Sequence, residues 1–209
     1  MSDREDRGDP GGEVGPEKRS ASRQRLLKAA RTLFIERGYH EARPQDIARE
    51  AGFASGTFYL HFADKRACFL AFADEAASEI DELVERRIAH APSLAQMVEG
   101  ILASVEEYAK INPGVINAAL ADPDIIDRAT IRIAPRLVDR WARRWVELLS
   151  RFETEGAVAD DLNLYVVGHA LVGLLHQSSR AQERGEFSRE ELLKTVVRLV
   201  ERALAPRRN

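Results

Sequence analysis

The chain of 209 residues contains a single cysteine, Cys68, so it has no internal disulfide framework, and this usage fits a reducing cytosol. Because Cys68 lies in the apolar helical run ACFLAF, we expect it to be a buried, small hydrophobic residue. No apolar run approaches the length of a membrane span, and the N-terminus has no apolar signal core. We therefore expect a cytoplasmic chain that does not engage a membrane.

Signatures of catalysis and of metal binding are also missing. There is no Gly-rich phosphate loop, no HExxH, no GxSxG and no cysteine nucleophile with a placed base. His169 and His176 are seven residues apart and share a helix face, but no third ligand lies near them in the sequence. Packing or dimer contacts are the alternative interpretation of these histidines. We expect no enzyme, no cofactor and no metal site.

The charge of the chain is segregated, although the net charge is only −3. Residues 1–17 carry −4, residues 18–66 carry eleven bases against five acids, or +6, and residues 67–209 carry −5. A basic module joined to an acidic body is typical of a DNA-binding domain attached to a part that does not touch DNA. Residues 1–17 consist largely of glycine, proline and charge, which predicts a disordered tail.

The basic module contains a pattern typical of a helix, a tight turn and a second helix, ARPQDIAREAGFASGTFYLHFADK. Pro44 suits a first helical position, and Gly52 follows where a left-handed φ ends a helix. Ser55 is then a candidate cap for the second helix, which carries Phe58 and Phe62 inward. Two short helices joined by a glycine turn predict the helix-turn-helix geometry, in which the second helix enters the major groove.

A further helix precedes this motif and completes a three-helix core. Ser22 is its expected N-cap and Gly38 its expected end. Its apolar residues recur at helical spacing: Leu26, Leu27, Ala30, Leu33 and Phe34. Lys18, Arg19 and Arg23 lie at its start, where they form either a contact to a phosphate backbone or minor groove, or a solvated arm.

Residues 22–72 resemble the TetR family of transcriptional regulators. The resemblance rests on FIERGYHEA, DIAREAG, GTFYLHF and the pair Asp64-Lys65 that opens a long helix. Two positions depart from the family, which usually has Thr or Ser at the position of Arg43 and Ser at the position of Ala54. Arg43 cannot accept an N–H bond as a cap, but it can reach a phosphate.

The resemblance implies that the backbone of Gly56 and the side chains of Tyr59 and Lys65 contact phosphates, and that the exposed face of the second helix contacts bases. Lys65 opposes the helix dipole at its position, which suits a nearby phosphate. Leu60 either contacts a thymine methyl group or tucks against the domain. The complete candidate surface is Arg43, Gln45, Ser55, Gly56, Thr57, Tyr59, His61 and Lys65.

The remainder of the chain predicts only helices. Their expected ranges are 64–87, 93–111, 113–121, 123–154, 162–184 and 188–205. Asn112-Pro113 and Asp122-Pro123 pair a capping residue with a first-turn proline, which is typical of helix starts, and Pro135 should break the fourth helix. We expect Arg140, Arg143 and Arg144 to form the solvated side of that helix.

The last two helices are apolar on more than one stripe, as YVVGHALVGLL illustrates. Such helices must be covered on more than one side, so we expect a homodimer through them, with Gly168, Ala170 and Gly173 allowing close helix approach. Candidate ligand-binding residues are Tyr108, Trp141, Trp145, His169 and His176. Core packing is the alternative interpretation of the aromatic residues.

We therefore predict an all-α protein with a helix-turn-helix domain over 18–66 and a helical effector-binding and dimerisation domain over 67–209. The resemblance implies a ligand-responsive transcriptional regulator, most often a repressor. Its partners would be a pseudo-palindromic double-stranded operator and a small-molecule effector. The alternative hypothesis is a helical dimer that acts as a binding or scaffold protein and no longer reads DNA.

Overall fold

The computed structural model describes residues 16–120 and 137–206 of the chain, and within these ranges the secondary structure is entirely helical, as predicted. The helices are α1 (Pro16–Glu41), α2 (Pro44–Glu50), α3 (Ser55–His61), α4 (Lys65–Ile88), α5 (Leu94–Ile111), α6 (Val115–Ala119), α7 (Leu137–Thr154), α8 (Leu164–Glu183) and α9 (Arg189–Leu204). None of these described helices is long and apolar enough to cross a membrane. The chain forms two compact units, Met1–Phe69 and Leu70–Asn209, and the division falls inside α4.

In the N-terminal unit, α1 is longer than predicted. It begins at Pro16, so residues 16 and 17 are helical, while residues 1–15 of the predicted tail lie outside the described ranges. The expectation that Ser22 caps this helix is wrong, because its hydroxyl lies within α1 and donates to the Lys18 carbonyl at 2.9 Å. Gly38 interrupts the helix as expected, with φ +76° and ψ 168°.

The core of the N-terminal unit gathers apolar side chains from all its helices. They include Leu26, Ala30, Leu33, Phe34, Ile47, Ala48, Phe58 and Phe62, all of which are buried. The Phe34 and Phe69 rings meet edge to face with their centroids 5.3 Å apart. The burial of the apolar positions of α1, α2 and α3 confirms the predicted three-helix core and fixes which face of α3 remains outside it.

In the C-terminal unit, α7 packs along α8, and α9 packs against α5 and α8. The α7–α8 contact is close because Gly168 has no side chain: a Cβ there would collide with the Ala142 carbonyl. The expectation that Gly168 serves a subunit interface is therefore wrong, since this buried residue packs within the chain. Gly173, by contrast, is exposed, and a Cβ added there would meet no other atom within 4 Å.

Several helix ends follow the sequence signals. Ser93 caps α5 by accepting from the Gln96 N–H at 3.3 Å, and Ser188 with Glu191 forms the expected capping box of α9. Pro113 does not begin a helix, because Gly114 is the N-cap of α6 with φ +80°. The predicted helix start at Asp122-Pro123 and the predicted break at Pro135 lie outside the described residues.

Candidate nucleic-acid interface and ligand cavity

The turn between α2 and α3 has the expected geometry. Gly52 adopts φ +74°, and the Phe53 N–H donates to the Ala48 carbonyl at 2.8 Å, which closes the end of α2. Sequence reasoning missed Arg25 of α1, whose Nη2 donates to the Ala51 carbonyl at 2.8 Å and whose guanidinium lies 4.5 Å from the centre of the Phe53 ring. Arg25 therefore holds the turn against α1.

Neither helix of the motif has a side-chain cap. Arg43 and Ala54 occupy the N-cap positions of α2 and α3 in extended backbone conformations and make no capping hydrogen bond. The expectation that Ser55 caps α3 is wrong, because Ser55 is the first residue inside the helix. Both helices form nonetheless, so tertiary packing compensates for the missing caps.

One face of α3 is buried and the other is open. Phe58 is fully buried, whereas the side chains of Tyr59 and Leu60 are 54% and 68% exposed. Ser55 and Gly56 are exposed as well, and Thr57 and His61 are half-buried. Arg43 and Gln45 are exposed at the start of α2. Helix α3 therefore exposes two large side chains, Tyr59 and Leu60, beside the small polar side chains of Ser55 and Thr57.

Two arginines from the first turns of α1 lie near the end of α3. Arg19 Nη2 donates to the Leu60 carbonyl at 3.5 Å, and the Arg23 guanidinium lies 5.0 Å from the centre of the Phe62 ring. The pKa of His61 is lowered from its ordinary value by burial and by the positive charges of Arg19 and Arg23. Arg19 and Arg23 therefore belong to an ordered helix beside α3.

Lys65 lies where it was predicted, at the start of α4, and it has partners within the chain that the sequence did not show. Its Nζ donates to the carbonyls of Tyr39 and His40, at 2.8 and 3.0 Å, and lies 4.5 Å from the centre of the Tyr39 ring. These carbonyls follow Gly38 at the end of α1, where the negative end of a helix dipole favours a cation. Asp64 caps α4 by accepting from the Ala67 N–H. Lys65 thus joins α4 to the end of α1.

The C-terminal unit contains a cavity of about 420 Å³. Residues of α4 to α9 line it, and most of the lining side chains are apolar. Trp141, Trp145 and His176 are among them, while Tyr108 and His169 are not among the described lining residues. Tyr108 is buried, and its hydroxyl donates to Glu79. Three of the five candidate ligand residues therefore meet at one cavity.

Two polar groups at the cavity, on Trp141 and His176, are uncharged at pH 7. The indole Nε1 of Trp141 is buried and has no hydrogen-bond partner among the described residues. The pKa of His176 is lowered by burial and by the charge of Arg180, while Glu183 acts in the opposite direction, so the imidazole is neutral at pH 7.

The other histidine of the predicted pair lies in a different setting. His169 Nε2 is 3.6 Å from Asp139 Oδ1, and its ring packs on Tyr165. Among the described residues, no group of three or more His, Cys, Asp or Glu side chains is arranged to hold a metal ion.

The expectation of a solvated arginine face on α7 is wrong for two of its three residues. Arg140 pairs with Asp74 and Asp81 of α4 and donates to the Ser78 hydroxyl at 3.1 Å. Arg144 pairs with Glu85 of α4, and only Arg143 is exposed. These arginines therefore tie α7 to α4 beside the cavity.

An exposed apolar stripe runs along α8. Tyr165 and Val166 are 46% and 65% exposed, and the small residues Ala170 and Gly173 continue the exposed face by one and two turns. On α9, Leu199 is 46% exposed. Together with Ala203 on α9, these residues are the exposed apolar positions of α8 and α9.

Comparison with known proteins agrees with this geometry. The family model for bacterial regulatory proteins of the tetR family matches residues 26–72, which run from the middle of α1 into the first turns of α4. A putative tetR family transcription regulator from Shewanella sp. PV-4 has the same fold, with a TM-score of 0.71 and 20% identity over 89% of this chain and 99% of that one. The helix-turn-helix region, residues 26–72, belongs to the TetR family.

Two curated relatives extend the comparison. The transcriptional repressor AcnR of Corynebacterium glutamicum is 34% identical over 92 residues, which are 44% of this chain and 46% of AcnR. The fatty acid metabolism regulator protein of Bacillus subtilis is 22% identical over 137 residues, or 66% of this chain and 69% of that protein. The chain thus spans less than half of the length of AcnR. AcnR is named a transcriptional repressor and the Bacillus subtilis protein a metabolism regulator, and neither name describes an enzyme.

Proposed function

We propose that this chain is a DNA-binding transcriptional regulator of the TetR family, a ligand-responsive repressor that binds a pseudo-palindromic operator as a homodimer. The observation that carries the proposal is the open face of α3, which exposes Tyr59 and Leu60 from a helix-turn-helix whose opposite face is buried. The sequence around it, residues 18–66, carries a net charge of +6. Such a basic surface favours a phosphate backbone.

The contacts to DNA divide by chemistry. Arg43, Gln45 and the Tyr59 hydroxyl are exposed donors that suit phosphates, and Gly56 lets a phosphate approach the backbone of α3. Ser55, Thr57 and Leu60 are short or apolar side chains on the outer face, which suits base edges and thymine methyl groups. His61 can add a charge-assisted contact when protonated. Lys65 supports the motif and has at most its third N–H for a phosphate.

Dimerisation through α8 and α9 would cover the exposed apolar stripe. Val166 is the most exposed of its large side chains, and Ala170 and Gly173 allow a second helix to approach closely. A two-fold dimer presents two copies of α3, which must enter major grooves one helical turn apart, about 34 Å. The operator is then pseudo-palindromic because the protein is two-fold symmetric.

The cavity in the C-terminal unit would receive the effector. Its volume of about 420 Å³ lies within the range of small-molecule sites, roughly 300–1,000 Å³. An effector that binds better to a dimer with a different spacing of its recognition helices would weaken DNA binding by the ratio of its two affinities. AcnR is named a repressor, which supports the same sign of regulation here.

The structure does not favour the alternative of a scaffold protein that no longer reads DNA. That alternative was based on Arg43 and Ala54, which cannot cap α2 and α3, but both helices form without side-chain caps and α3 keeps its open face. No observation in the described residues favours a scaffold over a DNA-binding regulator.

The experiment is a selection of binding sites from random double-stranded DNA, followed by mobility shifts on the selected site and on DNA beside the coding region. The proposal predicts a site with two inverted half-sites, bound by two copies of the chain. A single unpaired half-site, or no enrichment at low salt, would contradict it. Tyr59→Phe, which removes one hydroxyl from the open face, should weaken binding without changing the oligomeric state in sedimentation.

A matched test addresses the dimer. Val166→Glu places a charge in the proposed interface and should give monomers in sedimentation, together with loss of the paired-site shift. Val146→Glu makes the same change on α7, where the residue is half-buried, and serves as a control for general destabilisation. Dimers that persist in Val166→Glu would place the interface elsewhere.

A further inference from the structure

The walls of the cavity in the C-terminal unit are mainly apolar. Leu102, Val105, Leu148, Trp145, Val172 and Leu192 represent the helices that supply them. Such walls favour an apolar ligand, because burial stabilises it in proportion to the apolar surface removed from water. The walls alone do not decide whether the ligand also carries a charge, which depends on the ionised groups at the cavity.

Two of the ionised lining residues are already paired on one side of the cavity. Asp81 accepts from Arg140 Nη2 at 2.8 Å. Arg144 is bound by two carboxylates, Glu85 at 2.6 Å and Glu147 at 2.9 Å. A ligand carboxylate at Arg144 would therefore compete with two acids of the chain, and a ligand cation at Asp81 would compete with Arg140.

The same holds for the ionised residues that α5 and α9 contribute. Glu106 of α5 pairs with Arg189 of α9 and with Lys110, whose Nζ lies 2.8 Å from Glu106 Oε1. Two cations on one acid leave no carboxylate free for a cationic ligand. The pair with Arg189 also joins α9 to α5, so its charges contribute to the packing of the unit.

The remaining ionisable lining residues also sum to no net charge. Arg180 and Glu183 are neighbours of opposite sign on α8, and the pKa of His176 is lowered by burial and by Arg180, which keeps the ring neutral at pH 7. The one buried side-chain N or O atom without a partner in the described chain is the neutral donor Nε1 of Trp141. A carbonyl or hydroxyl oxygen can satisfy that donor.

We propose that the cavity binds a neutral, largely apolar molecule bearing an uncharged oxygen acceptor, and that it discriminates against carboxylates and ammonium ions of the same size. The proposal rests on the effector role given to the cavity above. Among the described lining residues, Asp81, Arg144, Glu106 and Arg189 are in ion pairs, and the opposite charges of Arg180 and Glu183 on α8 cancel. A charged ligand would therefore meet no excess of opposite charge, and burial of an ion without a counter-ion is strongly unfavourable.

The chain provides its own reporter for the test. Trp141 and Trp145 are its only two tryptophans, and both line the cavity, so intrinsic fluorescence reports occupancy. The probes are decan-1-ol, decanoate and decylammonium, which share one chain and differ in the charge of the head group. At about pH 7.5 we expect decan-1-ol to change the emission and to bind at least tenfold more tightly than either ion. Decanoate or decylammonium binding as tightly, or no response to any probe, would overturn the proposal.

A charge-changing variant sharpens the result. Glu106→Gln leaves Arg189 and Lys110 without their acid, so the affinity for decanoate should rise severalfold while that for decan-1-ol changes little. Glu99→Gln makes the same change at an exposed position of α5 and should leave both affinities as in the wild type. An unchanged preference in Glu106→Gln would show that the ion pairs do not set the selectivity.

The ligand titrations can fail without contradicting the proposed DNA-binding function, and the reverse also holds. These titrations need no DNA, so a preference for decanoate would contradict the ligand class and leave DNA binding untouched. Binding of decan-1-ol that leaves operator affinity unchanged would support the cavity's preference and count against its role in regulation.

Discussion

Replacement of Lys65 by methionine tests whether this residue holds the helix-turn-helix together. The variant keeps a long side chain but loses the ammonium that donates to the Tyr39 and His40 carbonyls and lies over the Tyr39 ring. Hydrogen bonds from a charged donor contribute about 1.5–3 kcal/mol when buried, and an exposed cation–π contact about 0.5–1 kcal/mol. Because Lys65 is only half-buried, we expect a total loss of about 2 kcal/mol. That corresponds to a fall in Tm of roughly 10 °C for a unit of this size.

Thermal unfolding followed by circular dichroism measures this loss. Lys28→Met removes the same charge from an exposed position of α1 and should change stability by less than about 0.5 kcal/mol. DNA binding is then compared at a temperature where both variants are folded. A Lys65→Met variant as stable as the wild type but deficient in DNA binding would refute the structural role and favour a phosphate contact as the main role of Lys65.

Three further predictions concern single side chains of the N-terminal unit. Burial, Arg19 and Arg23 lower the pKa of His61 in the free protein, whereas the negative charge of a bound phosphate would raise it. Operator affinity should therefore increase as pH falls from about 7.5 to below 6. A pH profile that is no flatter in His61→Gln would contradict this. Burial raises the pKa of the Cys68 thiol to about 12, so Ellman's reagent at about pH 8 should react slowly with the native chain and fully after denaturation, whereas rapid native reaction would show an open core. Replacing thymine by uracil under Leu60 should weaken binding by about 0.8 kcal/mol, the value of one buried methyl group, and Leu60→Ala should abolish that difference.

The helix-turn-helix was predictable because its signals are local. Pro44 and Gly52 impose backbone angles that mark the start of α2 and the turn after it, and the spacing of Phe58 and Phe62 fixes the buried side of α3. The N-cap of α5 and the capping box of α9 are equally local, since donor and acceptor are three residues apart. Such features depend on residues that the chain brings together in any helical conformation.

Sequence reasoning missed contacts whose partners are distant in sequence. The dipole of its own helix suggested a phosphate near Lys65, but it could not show the carbonyls 25 and 26 residues earlier that accept from its Nζ. Arg140 falls on the polar side of the helical pattern of α7. Only the packing of α7 on α4 shows that Asp81 and Asp74, which lie 59 and 66 residues earlier, are its partners. Sequence periodicity records that a position is polar, and the fold decides whether water or a carboxylate is its partner.

Two of the misplaced helix starts have a different cause. Ser22 and Pro113 are residues that often begin helices, but each has a competing neighbour: α1 continues back to Pro16, and Gly114 takes the N-cap of α6 with a positive φ. A residue that often begins helices can therefore also lie inside a helix or just before its N-cap, and the neighbouring residues decide where the helix begins. The cavity residues were found in part, because Trp141 and Trp145 are conspicuous, whereas the ion pairs that shape their surroundings join separate helices.

The salt dependence of operator binding tests the central claim most directly. Affinity for the selected operator is measured across salt concentrations for the wild type, for Arg43→Gln at the exposed start of α2, and for Arg143→Gln, an exposed arginine of α7 in the other unit. A DNA-binding surface on the helix-turn-helix predicts a steep log–log slope that Arg43→Gln reduces by about one and that Arg143→Gln leaves unchanged. A shallow slope for the wild type, or equal slopes for all three proteins, would contradict the account.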